Sequence, residues 1–198
     1  MTVEPLTRRS PLAGFAQGFA TLPDGLALRE APFLTQLTVR TEPQGAAAGR
    51  VAASLGVAWP TTPCTFTAGE AADVLWLGPD EWLVVAAPGE ADHLTGALRA
   101  ALGDGGGSVT DVSAQRTALD LSGPLTRDVL AHGCAVDLHP RINPEGTCVQ
   151  TMLAQAGVVL LVRDSTATAV RLLVRSSFAA YVASWLLDAS EEYSSAPH

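Results

Sequence analysis

Lysine is absent from this chain of 198 residues, and all twelve basic residues are arginine. That absence removes several chemistries at once. A Walker-type phosphate loop needs its lysine, as do a Schiff-base enzyme and any mechanism with a lysine general base. Charge of either sign is scarce, at 16% of residues, and the acidic side chains win by twenty to twelve for a net charge of −8. A surface of that sign repels phosphate backbones and anionic lipid, so neither nucleic acid nor a membrane surface is an expected partner. No apolar run reaches the roughly 18 residues of a spanning helix. Cysteine is limited to Cys64, Cys134 and Cys148, an odd number without close spacing. That usage fits reduced thiols in a cytoplasmic protein better than a disulfide framework.

What the chain has instead is apolar bulk, 47% of its residues. A sizeable core is expected, in one domain or two small lobes, and the apolar excess fits either surface held against partners or a large core alone. Residues 1–24 are punctuated by Pro and Gly and read as an extended arm. Within it, Thr7-Arg8-Arg9-Ser10-Pro11-Leu12 looks like a twin-arginine export signal. The segment that follows is short and broken by glycine, so export is not expected. Phe33 to Arg40 alternates as a half-buried strand, and Ala46 to Leu55 is an alanine-rich helix. Trp59 to Gly69 reads as a loop. Leu75-Trp76-Leu77-Gly78-Pro79-Asp80-Glu81-Trp82-Leu83-Val84-Val85 reads as strand, tight turn, strand. Leu94, Ala97, Leu98, Ala101 and Leu102 place a helix over 90–102.

Gly103-Asp104-Gly105-Gly106-Gly107-Ser108 is the expected boundary between a first lobe, 25–102, and a second, 109–189, with 190–198 as a tail. It is not a dinucleotide loop: it lacks the final glycine and runs from helix into strand, the reverse of the Rossmann order. In the second half Val109–Val112, Thr117–Leu121, Cys148–Ala154, Val158–Val162 and Val170–Val174 read as strands. Ser122 and Pro124 suit the start of one helix. Ser177 suits the start of another, with Phe178, Tyr181, Val182, Trp185 and Leu186 as its apolar stripe. The sum is an α+β architecture of two packed ferredoxin-like (βαββαβ-type) lobes with mostly antiparallel sheets.

Candidate chemistry is thin. His132, Cys134 and His139 lie within eight residues, but without the turn-type spacing of a zinc site. No Gly-x-Ser-x-Gly elbow is present. Cys148 has only Arg141 as a candidate activating cation. Asp80 and Glu81 are adjacent on a hairpin, so they point to opposite faces and make poor acid–base partners. Catalytic, cofactor-binding and metal-binding residues are therefore not expected here. Trp59 and Trp82, each beside turn residues, are candidate interface anchors, together with Gly78, Pro79, Asp80 and Glu81 and the arm residues Arg8, Arg9, Ser10, Pro11 and Leu12.

The tryptophan hairpin is followed in order by Asp111-Val112-Ser113, by Leu119-Asp120-Leu121-Ser122-Gly123-Pro124, by His132-Gly133-Cys134-Ala135-Val136-Asp137-Leu138-His139-Pro140 and by Arg175-Ser176-Ser177-Phe178-Ala179-Ala180-Tyr181. As an ordered set, starting from Arg9-Ser10-Pro11-Leu12, this resembles the gamma-subunit family of heterotetrameric sarcosine oxidases. The resemblance implies a fold like the folate-binding domain of the glycine-cleavage aminomethyltransferase, and a non-catalytic assembly role beside alpha, beta and delta subunits. The complex so implied oxidises sarcosine to glycine with hydrogen peroxide, passing the one-carbon unit to formaldehyde or tetrahydrofolate. FAD, FMN, NAD and zinc are then expected in the partner subunits and none in this chain. The alternative is a stand-alone folate-binding or aminomethyltransferase-like protein. In such relatives an aspartate near Asp137 acts in folate chemistry. Here Asp137 lacks the Thr-Asn-Asp context, so a turn-forming role is expected for it.

Overall fold

The computed structural model describes residues 7–194. In chain order the elements are α1 (Ala16–Phe19), β1 (Ala27–Ala31), β2 (Thr35–Arg40), α2 (Ala46–Leu55), β3 (Phe66–Thr67), β4 (Ala72–Gly78), β5 (Glu81–Ala86) and α3 (Ala91–Leu102). They continue with β6 (Ser108–Asp111), β7 (Arg116–Ser122), α4 (Thr126–Ala131), β8 (Cys148–Leu153), β9 (Ala156–Val162), β10 (Ala169–Arg175) and α5 (Ala179–Ser190). The strands form two five-stranded sheets, ordered β3-β4-β5-β2-β6 and β1-β7-β10-β9-β8. Every pairing between them is antiparallel. The α+β architecture of two packed lobes is what the chain forms.

Strand alternation sorts the side chains into three apolar layers. On the first sheet Leu37, Val39, Val74 and Val84 face α2 and α3, meeting Val51, Leu55, Leu98 and Leu102. On the second, Leu119, Leu121, Leu160 and Leu172 meet Val129 and Leu130 of α4 and Val182 and Leu186 of α5. The opposite parity of both sheets fills the space between them: Leu75, Leu83 and Val85 from one, Ala118, Val159, Leu161 and Leu173 from the other. Central strands are therefore covered on both faces. That is why β9 is a continuous apolar run and why β2 does not alternate as its sequence suggests, Thr35, Gln36 and Leu37 all being buried. Gln36 ties the sheets together through a hydrogen bond from its Nε2 to the Arg116 carbonyl (2.9 Å).

The glycine connector at 103–108 does not divide the sheets. β1 lies before it yet pairs with β7 of the second sheet, while β6 lies after it and pairs with β2 of the first. Each lobe thus borrows its edge strand from the other half of the chain. Connector composition marked a turn, and strand pairing is decided by which edge each strand can cover.

Four local expectations change with packing. Phe33 lies in the β1–β2 turn with φ of 61°, so the strand begins at Thr35. The 59–69 loop contains the short strand β3. The fourth helix starts at Thr126 without a side-chain cap, because Gly123 turns the chain at φ of 117°, where a Cβ would lie 2.2 Å from the Gly25 carbonyl. Neither does Ser177 cap the last helix, whose buried face is Ala179, Val182, Ala183 and Leu186; Phe178 and Tyr181 face solvent.

The described part of the arm is not extended. It turns at Pro11–Gly14, makes the single helical turn α1, and packs Phe15, Phe19 and Leu22 against the second core, in which Leu12 is 2% exposed. Truncation of Leu12 should therefore act on stability. We expect Leu12→Ala to lower the unfolding free energy by about 2–5 kcal/mol in urea titration, and Arg9→Ala, at an exposed position, to change it by less than about 0.5 kcal/mol. Equal midpoints for both variants would remove the arm from the core.

Candidate functional site

The tryptophan hairpin is β4–β5. Trp76 pairs with Trp82 and Gly78 with Glu81, and the register shifts between Trp76 and Gly78. Leu77 falls in that shift, and its carbonyl accepts a hydrogen bond from Gln150 Nε2 of the second sheet (2.9 Å). Trp82 is wholly enclosed. Its indole N–H donates to the Pro60 carbonyl at 2.7 Å, and its ring lies 4.8 Å from that of Trp59. Trp82 accordingly has no surface to give a partner, and its expected place at an interface is corrected to that of an anchor for the 59–69 loop. Trp59 is half-buried, and its indole N–H has no partner among the described residues.

The hairpin tip stays outside. Pro79 and Asp80 are exposed, with Gly78 and Glu81 half-buried. Arg40, on the neighbouring strand β2, pairs with Glu81 and lies 3.6 Å from Asp80. The two carboxylates thus have a cation within their own chain. Exposed pairs of this kind contribute at most about 1 kcal/mol, so they set the shape of the tip more than its stability.

In the arm, the Arg8 guanidinium stacks 4.6 Å over the Phe33 ring. The Ser10 hydroxyl donates to the Glu30 carboxylate and accepts the Leu12 N–H (3.0 Å), and Glu30 also accepts from the Thr117 hydroxyl (2.6 Å). Arg8, Arg9 and Pro11 stay exposed while Leu12 is buried. The arm and the hairpin tip are separate features: one packs on the second sheet, the other projects from the first.

Asp137 forms a turn. Its carboxylate accepts the His139 N–H at 2.8 Å and its carbonyl accepts from Asn143 Nδ2 at 2.5 Å. His139 in turn accepts the Arg141 N–H through Nδ1 (3.2 Å), whereas His132 points away, to Tyr193 (3.1 Å) and Glu192 (2.9 Å). Among the described residues no group of three or more His, Cys, Asp or Glu is placed to hold a metal ion. Burial pushes the Cys134 thiol above its ordinary range. Burial, with a smaller contribution from Cys64, takes Cys148 up to about 12. A thiol so held is a packing group in the layer between the sheets.

Two features escaped the sequence because they depend on which strands become neighbours. Asp120 of β7 takes Arg171 of β10 in a bidentate pair (2.6 and 2.9 Å), and those hydrogen bonds hold the Arg171 pKa above its ordinary value against the effect of burial. Arg163 pairs with Asp73 across the two sheets (2.6 Å). The second feature is a pair of arginines, Arg116 and Arg175, directly opposite each other on β7 and β10. Arginine at 171 and 175, two positions of the same parity on β10, was the available signal.

The family described as "Sarcosine oxidase, gamma subunit family" matches residues 40–192. This chain belongs to that family. Gamma-family relatives include the "Sarcosine oxidase subunit gamma" of Arthrobacter sp, 39% identical with 95% of this chain and 92% of the relative covered. The protein of that name from Corynebacterium sp. (strain P-1) is 37% identical, covering 96% and 93%. Among solved structures, a chain of heterotetrameric sarcosine oxidase from Corynebacterium sp. U-96 superposes with a TM-score of 0.86 at 36% identity, covering 96% of this chain and 98% of that one. The aminomethyltransferase T of the glycine cleavage system from Bartonella henselae shares the fold, with a TM-score of 0.62 at 16% identity. This chain covers 49% of that enzyme and is itself covered to 89%.

The contrast between the cysteines can be read directly. Exposed Cys64 should react with a thiol reagent at pH 8 within the mixing time, whereas Cys148 should react only at the rate of unfolding. Mass spectrometry of the labelled peptides separates the two. Rapid labelling of Cys148 in the folded protein would contradict its placement between the sheets.

Proposed function

We propose that this chain is the gamma subunit of a heterotetrameric, flavin-dependent sarcosine oxidase, and that its task is to pack against the alpha, beta and delta subunits and complete the assembly. The single observation behind this reading is the end-to-end likeness to one chain of a solved heterotetrameric enzyme. Local chemistry is consistent with it. The glycine-rich connector leaves the C-terminus of α3 and enters β6 through a single 3-10 turn, so it presents no helix N-terminus to a pyrophosphate. Asp137 spends its carboxylate on a turn, and Cys148 is protonated and enclosed.

On this reading FAD, FMN and NAD sit in the larger subunits and zinc in the smallest. The overall reaction consumes sarcosine, oxygen and water and yields glycine, formaldehyde and hydrogen peroxide, or hands the one-carbon unit to tetrahydrofolate. Cofactors carry that chemistry, and the surrounding protein orients and shields them. A gamma subunit contributes to turnover only through the geometry and integrity of the whole.

The test is co-expression. The chain alone should purify colourless and without sarcosine-dependent peroxide production. With the three partner subunits it should co-purify in a fixed ratio as a yellow, active complex, and its omission should lower assembly or flavin retention. Partner subunits that assemble and turn over sarcosine equally well without this chain would overturn the proposal. Tight binding of tetrahydrofolate by the isolated chain, abolished by Asp137→Ala, would favour the aminomethyltransferase-like alternative instead.

A further inference from the structure

The inner face of the second sheet is not wholly covered. The register places Arg116 opposite Arg175, puts Gly157 beside Arg175 (from Val174 opposite Val158), and sets Met152 opposite Gly157. Arg116, Arg175, Gly157 and Met152 therefore form one row across β7, β10, β9 and β8. They share the parity of Ala118, Leu173 and Val159, which lie under the first sheet. At this row the cover ends, leaving an open hollow of about 490 Å³ beside the Leu77–Gln150 link. A Cβ on Gly157 would meet nothing within 4 Å.

The charges in this row are unbalanced. Neither Arg116 nor Arg175 makes an ion pair or a side-chain hydrogen bond among the described residues. Glu81 is the carboxylate that acts on Arg116 from a distance, and it is already paired with Arg40. Arg116 is half-buried, and burial together with the Arg175 charge holds its pKa below the ordinary value. Like charges directly opposite each other in a sheet are destabilising, and among the described residues no carboxylate is in direct contact with either guanidinium. Met152, in the same row, is 46% exposed.

We propose that the Arg116–Arg175 pair and its floor are a docking surface for an acidic segment of a partner subunit, one carboxylate bridging both guanidiniums while an apolar neighbour covers Gly157 and Met152. This rests on the reading of the chain as a subunit. Charge complementarity selects the occupant: two adjacent guanidiniums match a carboxylate in bidentate fashion. Arginine and methionine beside an apolar floor are side chains enriched at interface centres. A small free anion would answer the arginines and leave Met152 and the open Gly157 floor in water, so a polypeptide is the better match.

The experiment uses the full chain co-expressed with the other subunits, with the double variant Arg116→Glu/Arg175→Glu beside wild type and the exposed-site control Arg141→Glu. Retention of the chain in the purified complex should fall about tenfold or more in the double variant, as loss of a desolvated charge pair implies, and stay unchanged in the control. Circular dichroism and the melting temperature of the isolated variants check folding. The milder Arg175→Gln, which relieves the like-charge contact, should melt no lower than wild type and still weaken retention. Failure of wild type to be retained would overturn the subunit reading and this surface with it. Retention of wild type and double variant alike would overturn the surface alone. Arginine-dependent stabilisation of the isolated chain by glutarate, with retention unaffected, would overturn it in favour of a small carboxylate ligand.

Discussion

Everything in this molecule hangs on the apolar layer between its two sheets. Leu75, Leu83 and Val85 of the first sheet meet Ala118, Val159, Leu161 and Leu173 of the second. Each sheet already carries helices on its outer face, so the shared layer makes the central strands apolar on both sides. At about 25 cal/mol per Å² of buried apolar surface, a contact of this extent outweighs any exposed ion pair described above. Polar links then fix the alignment that apolar contact alone leaves loose. Gln36 bonds to the Arg116 carbonyl, Gln150 to the Leu77 carbonyl, and Arg163 to Asp73. These join one sheet to the other along its length.

Much of this was legible in advance. The hairpin, the helices at 46–55 and near 91–102, and most strands of the second half appear within a residue or two of where periodicity placed them. Periodicity fails where two faces are covered at once: β2 is buried at Thr35, Gln36 and Leu37 and shows no alternation to read. It also fails where tertiary contact overrides local punctuation. The arm has Pro and Gly in abundance, yet Leu12 is drawn into the second core because that core has room for it. Trp82 looked available beside a turn, and only the closure of Pro60 and Trp59 over it removes it from the surface. The arginine row is a property of register. No single strand contains it, so no window along the chain could display it.

The chain shares its fold with the aminomethyltransferase T of the glycine cleavage system. Positions where chemistry was conceivable are committed to structure: Asp137 to a turn, His132 to Tyr193 and Glu192, Cys148 to the inter-sheet layer. What remains unspent is surface. The hairpin tip at Gly78–Asp80 and the arginine row lie on either side of the Leu77–Gln150 link. One scaffold can serve different roles, since fold and function are separable.

The exchange of edge strands has a consequence for how the protein comes into being. Arg29 of β1 meets Asp120 of β7 across 91 residues of chain. During synthesis at about 5–20 residues per second, β1 emerges early and has no sheet to join for several seconds. The first sheet lacks its edge until β6 follows the connector, and β1 stays unpaired until β7 is made. Such long-range pairings make folding slow and leave sheet edges open to stray association. For this chain, the second sheet is closed by a strand made long before the strand it pairs with.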